Sequence, residues 1–236
     1  MKLHVTFLPA EVSGMDLSDT VCIVLDIFRA TSSIVTAAAN GCQSVLPVLS
    51  AEEAQDLARQ TKSCLLAGER KSVRIEGFDL GNSPAEFSRD KVQDRPIIMA
   101  TTNGTVAIRA TEGAWRTWIG SFLNAAAVCR QAQQHGKDIL IVCAGTERLF
   151  SLEDALCAGQ LVEILQGREQ AVILSDAAYA ALLMYTQSKG RLAEVAGRSR
   201  NGQRLYDLGR TDDIAYCLQS NILDIVPEYK HGTIRH

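Results

Sequence analysis

With 236 residues, 47% hydrophobic and 22% charged, the chain is long enough to bury a substantial core and too apolar for intrinsic disorder. A formal net charge of −3 supplies no general field for nucleic-acid phosphates or anionic lipid, so neither is an expected partner and any anion must be held by a local site. No apolar run approaches the ~18 to 20 residues of a membrane span, and seven cysteines with no C-x-x-C pair among them suit a reducing, cytoplasmic location.

The opening Met1-Lys-Leu-His-Val-Thr-Phe-Leu-Pro9 reads as a strand and lacks the apolar core of a signal peptide. From there short apolar runs alternate with segments of helical period. The pattern predicts strands over 3–8, 21–26, 44–49, 63–68, 96–100, 117–121 and 138–143. Helices are predicted over 32–40, 51–61, 104–112, 123–135 and 152–166, each opening near a Ser, Thr or Asn suited to capping. Such alternation is the signature of βαβ units, so the expected fold is α/β, a largely parallel sheet with helices on both faces, in one domain over 1–236. Past residue 170 the pattern changes to helices over 171–188, 202–208 and 211–219, then a strand over 222–226 that stops at Pro227. The apolar helix around Ala177–Tyr185 offers a surface for pairing two copies as a homodimer. Segment 69–84 is the longest stretch without clear periodicity and is expected to be functional.

In open α/β sheets ligands bind beyond the carboxyl ends of the strands. Polar residues gather at five such ends: Asp26-Ile-Phe-Arg29-Ala-Thr31-Ser32, Gly68-Glu69-Arg70, Thr101-Thr102-Asn103-Gly104-Thr105, Ser121 with Asn124, and Cys143-Ala-Gly145-Thr146. Two of these lead directly into helices, whose first amides and positive dipole end favour anions. Gly104 lets the backbone approach a ligand, and Arg29 and Arg70 suit phosphate or sulfonate oxygens. Thr31, Ser32 and Asn103 also suit plain helix capping. The carboxylates Asp26, Glu69, Asp79, Glu153 and Asp154 fall at or near the same rim, and hard oxygen ligands together with substrate phosphate are what Mg²⁺ takes. Ser151-Leu-Glu153-Asp154 equally fits a capping pattern, and Asp213 reads mainly as a helix-opening residue.

Other chemistries are weighed by spacing. Cys143 and Arg148 are one residue too close for the C-x₅-R loop of a cysteine phosphatase. Asp26-Ile27-Phe28 lacks the second aspartate of an Asp-x-Asp nucleophile motif, although a lone strand-end Asp can still attack. No G-x-x-x-x-G-K-[ST] or G-x-G-x-x-G occurs, so nucleotide chemistry loses its usual markers.

Seven segments in order resemble the motifs of the 2-phosphosulfolactate phosphatase family: Asp26–Ser32, Ala67–Arg70, Gly77-Phe-Asp79-Leu-Gly81-Asn82-Ser-Pro84, Thr101–Thr105, Ser121–Asn124, Cys143–Thr146 and Ser151–Asp154. The resemblance runs from about residue 20 to 160, and Leu205–Gly209, Asp213-Ile214 and Val226-Pro227 extend it. It implies a three-layer α/β/α sandwich with a mostly parallel or mixed sheet, and Mg²⁺-dependent hydrolysis of 2-phospho-3-sulfolactate, a step in coenzyme M synthesis. On that reading Asp26, Arg29, Glu69, Arg70 and Asn103 are catalytic. Thr31, Ser32, Asn82, Thr102, Gly104, Thr105, Asn124, Gly145 and Thr146 bind the small phosphorylated substrate, and Mg²⁺ is drawn from Asp26, Glu69, Asp79 and Asp154. The chain departs from the family in having Lys71-Ser72 where paired glycines are frequent and Asn201-Gly202 where His-Gly is frequent. A phosphatase of another phosphorylated hydroxy acid, or a noncatalytic phosphometabolite-binding protein, are the alternatives.

Overall fold

A computed structural model describes residues 1–167 and 172–236. In chain order the elements are β1 (Lys2–Thr6), β2 (Thr20–Leu25), α1 (Ala30–Ala39), β3 (Ser44–Val48), α2 (Ala51–Ala58), β4 (Leu65–Arg70), β5 (Val73–Arg74) and α3 (Arg89–Val92). There follow β6 (Pro96–Ala100), α4 (Gly104–Ala110), β7 (Arg116–Ile119), α5 (Ala125–Gln133), β8 (Asp138–Cys143), α6 (Leu152–Gln166), β9 (Ile173–Leu174) and α7 (Asp176–Ser188). The chain continues with α8 (Leu192–Gly197), α9 (Arg200–Asp207), α10 (Thr211–Cys217), β10 (Glu228–Lys230) and β11 (Thr233–Arg235).

The strands form one mixed sheet in the order β5-β4-β6-β3-β11-β10-β7-β2-β8-β1-β9. Two parallel blocks, β4-β6-β3 and β7-β2-β8-β1-β9, are joined by the antiparallel hairpin of β10 and β11. Strand periodicity sorts the core into layers. Along β2, Val21, Ile23 and Leu25 pack with Leu156, Leu161 and Val162 of α6 on one face. Cys22 and Val24 pack with Val35 of α1 and Ala107 of α4 on the other. The result is the expected α/β sandwich, with helices on both faces of the central strands. Helices α6 and α7 approach closely because residue 159 is glycine: a Cβ there would lie 2.1 Å from the Ala181 carbonyl oxygen.

The predicted strand at 222–226 is replaced by irregular chain, and the terminal pairing is made instead by residues 228–235. The hairpin turns at His231-Gly232, both with positive φ (50° and 78°), as a tight two-residue connection requires. Its inward positions, Tyr229 and Ile234, are buried. Residues 222–226 serve as a strap instead: Leu223 N donates to Leu123 O and the Ile225 carbonyl accepts from Asn124 Nδ2. The predicted start of a helix at 171 lies outside the described residues, and α7 begins at Asp176 after the short strand β9. Tyr179 and Leu183 on α7 remain exposed. No helix among the described residues is long and apolar enough to cross a membrane.

Candidate active site

Residues that follow β2 and β6, together with Glu69 near the end of β4, enclose a polar cavity of about 30 Å³ whose lining includes Asp26, Arg29, Glu69, Asn82, Thr102 and Asn103. Asp26 follows the last residue of β2 and precedes α1, and the connection is held by local bonds. Thr31 N donates to the Asp26 carbonyl (2.9 Å), and Thr31 Oγ1 both accepts from Asp26 N (3.0 Å) and donates to Asp26 O (3.1 Å). Ser32 Oγ donates to the Ile27 carbonyl. The two hydroxyls proposed from sequence as substrate donors therefore fold the loop that presents Asp26.

Asp26 is buried. Its carboxyl is pushed up to about 7, first by loss of hydration, then by the nearby charges of Glu69 and Glu153, against the lowering effects of the Ala30 amide and Arg29. Gly104 leaves room for it: a Cβ at that position would lie 2.9 Å from Asp26 Oδ2 and 2.7 Å from the Ala30 Cβ. The start of α4 thus presses against the Asp26 carboxylate.

Glu69 is the penultimate residue of β4. Its Oε1 accepts from Thr102 N (3.0 Å) and its Oε2 from Ser72 N (2.7 Å). The second of these bonds exists because the segment expected to be a long loop turns back at once: Lys71 and Ser72 take positive φ (52° and 65°) and connect β4 to β5. The same turn points the Ser72 carbonyl at Arg29 Nη2 (2.8 Å). Arg29 Nη1 meets Asp213 Oδ2 at 2.6 Å, and Asp213 Oδ1 accepts from Ser83 Oγ at 2.5 Å. Asp213 is buried and orients the arginine of the cavity, a role well beyond opening α10.

A second layer of carboxylates lies behind Asp26. Asp154 accepts from Ile27 N (2.8 Å) and Gly145 N (3.1 Å), and burial, Glu153 and Asp26 hold its pKa well above the ordinary carboxylate value. Glu153 is raised by burial too. Its Oε1 accepts from Asn201 Nδ2 (3.2 Å), and Asn201 and Ser199 offset part of that rise. Asn201 Nδ2 also donates to Thr146 Oγ1 (2.8 Å), which meets Ser151 Oγ at 2.5 Å. Asn201 is placed by α9, whose start is capped by Ser199 accepting from Gly202 N.

Several expected residues are used differently. Arg70 turns away, donating to the Leu49 and Glu69 carbonyls. Asp79 is exposed and accepts from Leu66 N near the start of β4, so it does not reach the rim where Asp26 and Glu69 meet. Asn124 is fully buried, takes Ser121 N on its oxygen and gives its amide to the Ile119 and Ile225 carbonyls, which ties β7 to the 222–226 strap instead of facing the cavity. Thr102 and Thr105 amides are already engaged, by Glu69 and by Thr101 Oγ1. Gly145 and Thr146 hold Asp154 and Asn201, one shell away from the cavity. In their place the cavity gains Lys71, Glu147, Asn201 and Arg204. Lys71 and Asn201 mark the two departures from the family pattern, a signal that pointed to the site without assigning a role.

Among the described residues no group of three or more His, Cys, Asp or Glu converges as a metal cage. Mg²⁺ commonly takes only one or two carboxylates, completing its shell with water and substrate phosphate. Asp26 and Glu69 fit that requirement, and a cation relieves both the burial of the Asp26 charge and the repulsion from Glu69 that raise Asp26.

The profile of the family described as 2-phosphosulpholactate phosphatase matches residues 6–232. A protein of Symbiobacterium thermophilum, named probable 2-phosphosulfolactate phosphatase, is 43% identical over 96% of both chains. Proteins of the same name from Caldanaerobacter subterraneus subsp. tengcongensis and Clostridium beijerinckii are 41% identical over 95% of this chain and 94% of the relative, and 36% identical over 99% of both. With a rim built from its motifs and a match along nearly the whole length, the chain belongs to the 2-phosphosulfolactate phosphatase family.

Proposed function

We propose that this phosphatase-family chain, a phosphoric monoester hydrolase, is Mg²⁺-dependent and converts 2-phospho-3-sulfolactate and water to 3-sulfolactate and phosphate, a coenzyme M precursor step. The observation that carries the reading is the carboxyl of Asp26, raised to about 7 at a strand end facing a small cavity flanked by Arg29, Lys71 and Arg204. Asp26 and Glu69 would hold Mg²⁺, which when bound supplies charge neutralisation to the phosphoryl oxygens. Asp26 accepts a hydrogen bond from the attacking water and takes up its proton, and that proton passes on to the leaving oxygen as the P–O bond breaks, so that the product departs as the alcohol. Arg29, fixed on Asp213 and the Ser72 carbonyl, presents its guanidinium to the phosphoryl group without having to be ordered during the reaction. The positive end of α1, at the same loop, adds to this field. Cysteines 22, 42, 129, 143, 157 and 217 are buried and no disulfide is formed among the described residues, which favours a reducing compartment such as the cytoplasm.

Phosphate release from 2-phospho-3-sulfolactate and from phospholactate, each with Mg²⁺ and with a chelator, tests the proposal. Rapid metal-dependent release from the sulfonate, at least tenfold above phospholactate, is expected. Equal turnover of the two would remove the sulfonate from the substrate definition, and release unaffected by chelation would remove Mg²⁺.

A further inference from the structure

The cavity at Asp26, about 30 Å³, has room for one or two waters, not for a phosphorylated three-carbon acid. Beside it lies a groove of about 680 Å³ lined by Leu8, Val106 and Ala144 among others. Thr102, Asn103 and Glu147 line both spaces, so Glu147 stands in the wall between them. Its carboxylate is held from α9: Oε1 accepts from Arg204 Nη2 at 2.8 Å, and Oε2 lies 3.7 Å from Arg200 Nη1. Arg204 is three positions beyond Asn201, on the same helical face, and both line the Asp26 cavity. The ion pair therefore spans the mouth of the site, from the turn after β8 to α9, and is not a chance pair on a remote surface. Glu147 and Arg148 both take positive φ (54° and 64°), and Glu147 N donates to Asn103 Oδ1 at 3.1 Å. A carboxylate here occupies the one guanidinium of α9 that faces the cavity.

We propose that Arg204 binds one of the acidic groups of the substrate that are not transferred, and that Glu147 pairs with Arg204 in the free protein as a stand-in for that group. Arrival of the substrate exchanges one carboxylate–guanidinium pair for another with a sulfonate or carboxylate, and the released Glu147 turn opens the small cavity into the groove. This rests on the phosphatase reading of the same cavity. Because the pair is partly exposed, it holds the closed state by only about two- to fivefold, so exchange is easy, yet a monoester with no second acid cannot drive it.

The test uses Glu147→Gln, Arg204→Gln and the double variant, with ethyl phosphate, phospholactate and 2-phospho-3-sulfolactate as substrates. Arg204→Gln is expected to raise KM roughly tenfold or more for the acid-bearing esters, with kcat within about threefold and a smaller rise in KM for ethyl phosphate. Glu147→Gln is expected to lower KM for the acid-bearing esters by about two- to fivefold, an effect that vanishes in the double variant. A KM change in Arg204→Gln shared equally by ethyl phosphate, or a Glu147→Gln effect that persists without Arg204, would overturn the proposal. Calorimetric titration of 3-sulfolactate into the same four proteins separates the two readings. Tighter binding in Glu147→Gln that is lost in the double variant upholds the exchange even if no ester is turned over. Identical binding in all four proteins refutes it even if the phosphatase activity is confirmed.

Discussion

Replacing Asp26 by Asn should make the protein more stable and inactive at once. The shift of Asp26 from 3.8 to about 7 corresponds to about 4 kcal/mol of unfavourable interaction in the ionised folded state. The sign follows from linkage. Between about pH 4 and 7 the folded protein holds a proton on Asp26 that the unfolded chain has released, so stability declines as pH rises through that window and the full cost is present above it. An amide at this position escapes the cost. Urea denaturation with a chelator present should show Asp26→Asn gaining up to about 4 kcal/mol at pH 8 but only about 1 to 2 kcal/mol at pH 5, where the wild-type carboxyl is still largely protonated. Asp154, raised in part by Asp26, should move back toward its ordinary range in the variant and add to the gain. Phosphatase turnover should fall at least ~10³-fold. A variant less stable than wild type at pH 8, or one with the same gain at both pH values, would refute the argument that burial among like charges sets the state of Asp26. Full activity would remove Asp26 from the chemistry.

Added Mg²⁺ should raise the wild-type melting temperature at pH 8, and much less so at pH 5 or in Asp26→Asn, as seen by differential scanning fluorimetry, because protonation and the amide both remove a ligand charge. Asp213→Ala should cost about 3 to 5 kcal/mol in urea denaturation by leaving Arg29 buried without its counter-charge, and Asp213→Asn should cost less. Gly104→Ala places a Cβ 2.9 Å from Asp26 Oδ2, so turnover should fall by roughly 10² or more while the far-UV circular dichroism spectrum is retained. Asn124→Ala should lower stability by about 2 to 3 kcal/mol through orphaned carbonyls at residues 119 and 225, with KM unchanged; a selective rise in KM would return Asn124 to the substrate.

The sheet and its rim were legible because strands β2, β4, β6 and β8 are short apolar runs whose polar continuations are visible in the chain. What those continuations do was less legible, because a Thr or Ser after a strand bonds a ligand or its own loop by the same chemistry. Thr31 and Ser32 bond the loop. Asp79 and Asp154 look alike in sequence, yet Asp154 sits behind Asp26 and Asp79 caps the far end of β4, a difference set by how residues 75–82 fold back along the sheet edge. Asp213, Asn201 and Arg204 come from the helices after β9, far along the chain from the rim motifs, and only tertiary packing carries them there. The hairpin of β10 and β11 was missed because the more apolar 222–226 competed for the strand, while His231-Gly232 supplied the tight turn further on.

That hairpin also governs how the sheet can be assembled. Both parallel blocks are complete before residue 228, and each then presents an open edge, β3 on one side and β7 on the other, for pairing with whatever strand arrives. Closure needs the strands at 228–235, so the pairing that joins the two blocks is a long-range contact of the kind that slows folding. Until then the two edges are ready templates for strands of other chains. The few residues from 228 to 235 therefore act as the protein's own guard against association during folding, although none of them lines the cavity at Asp26.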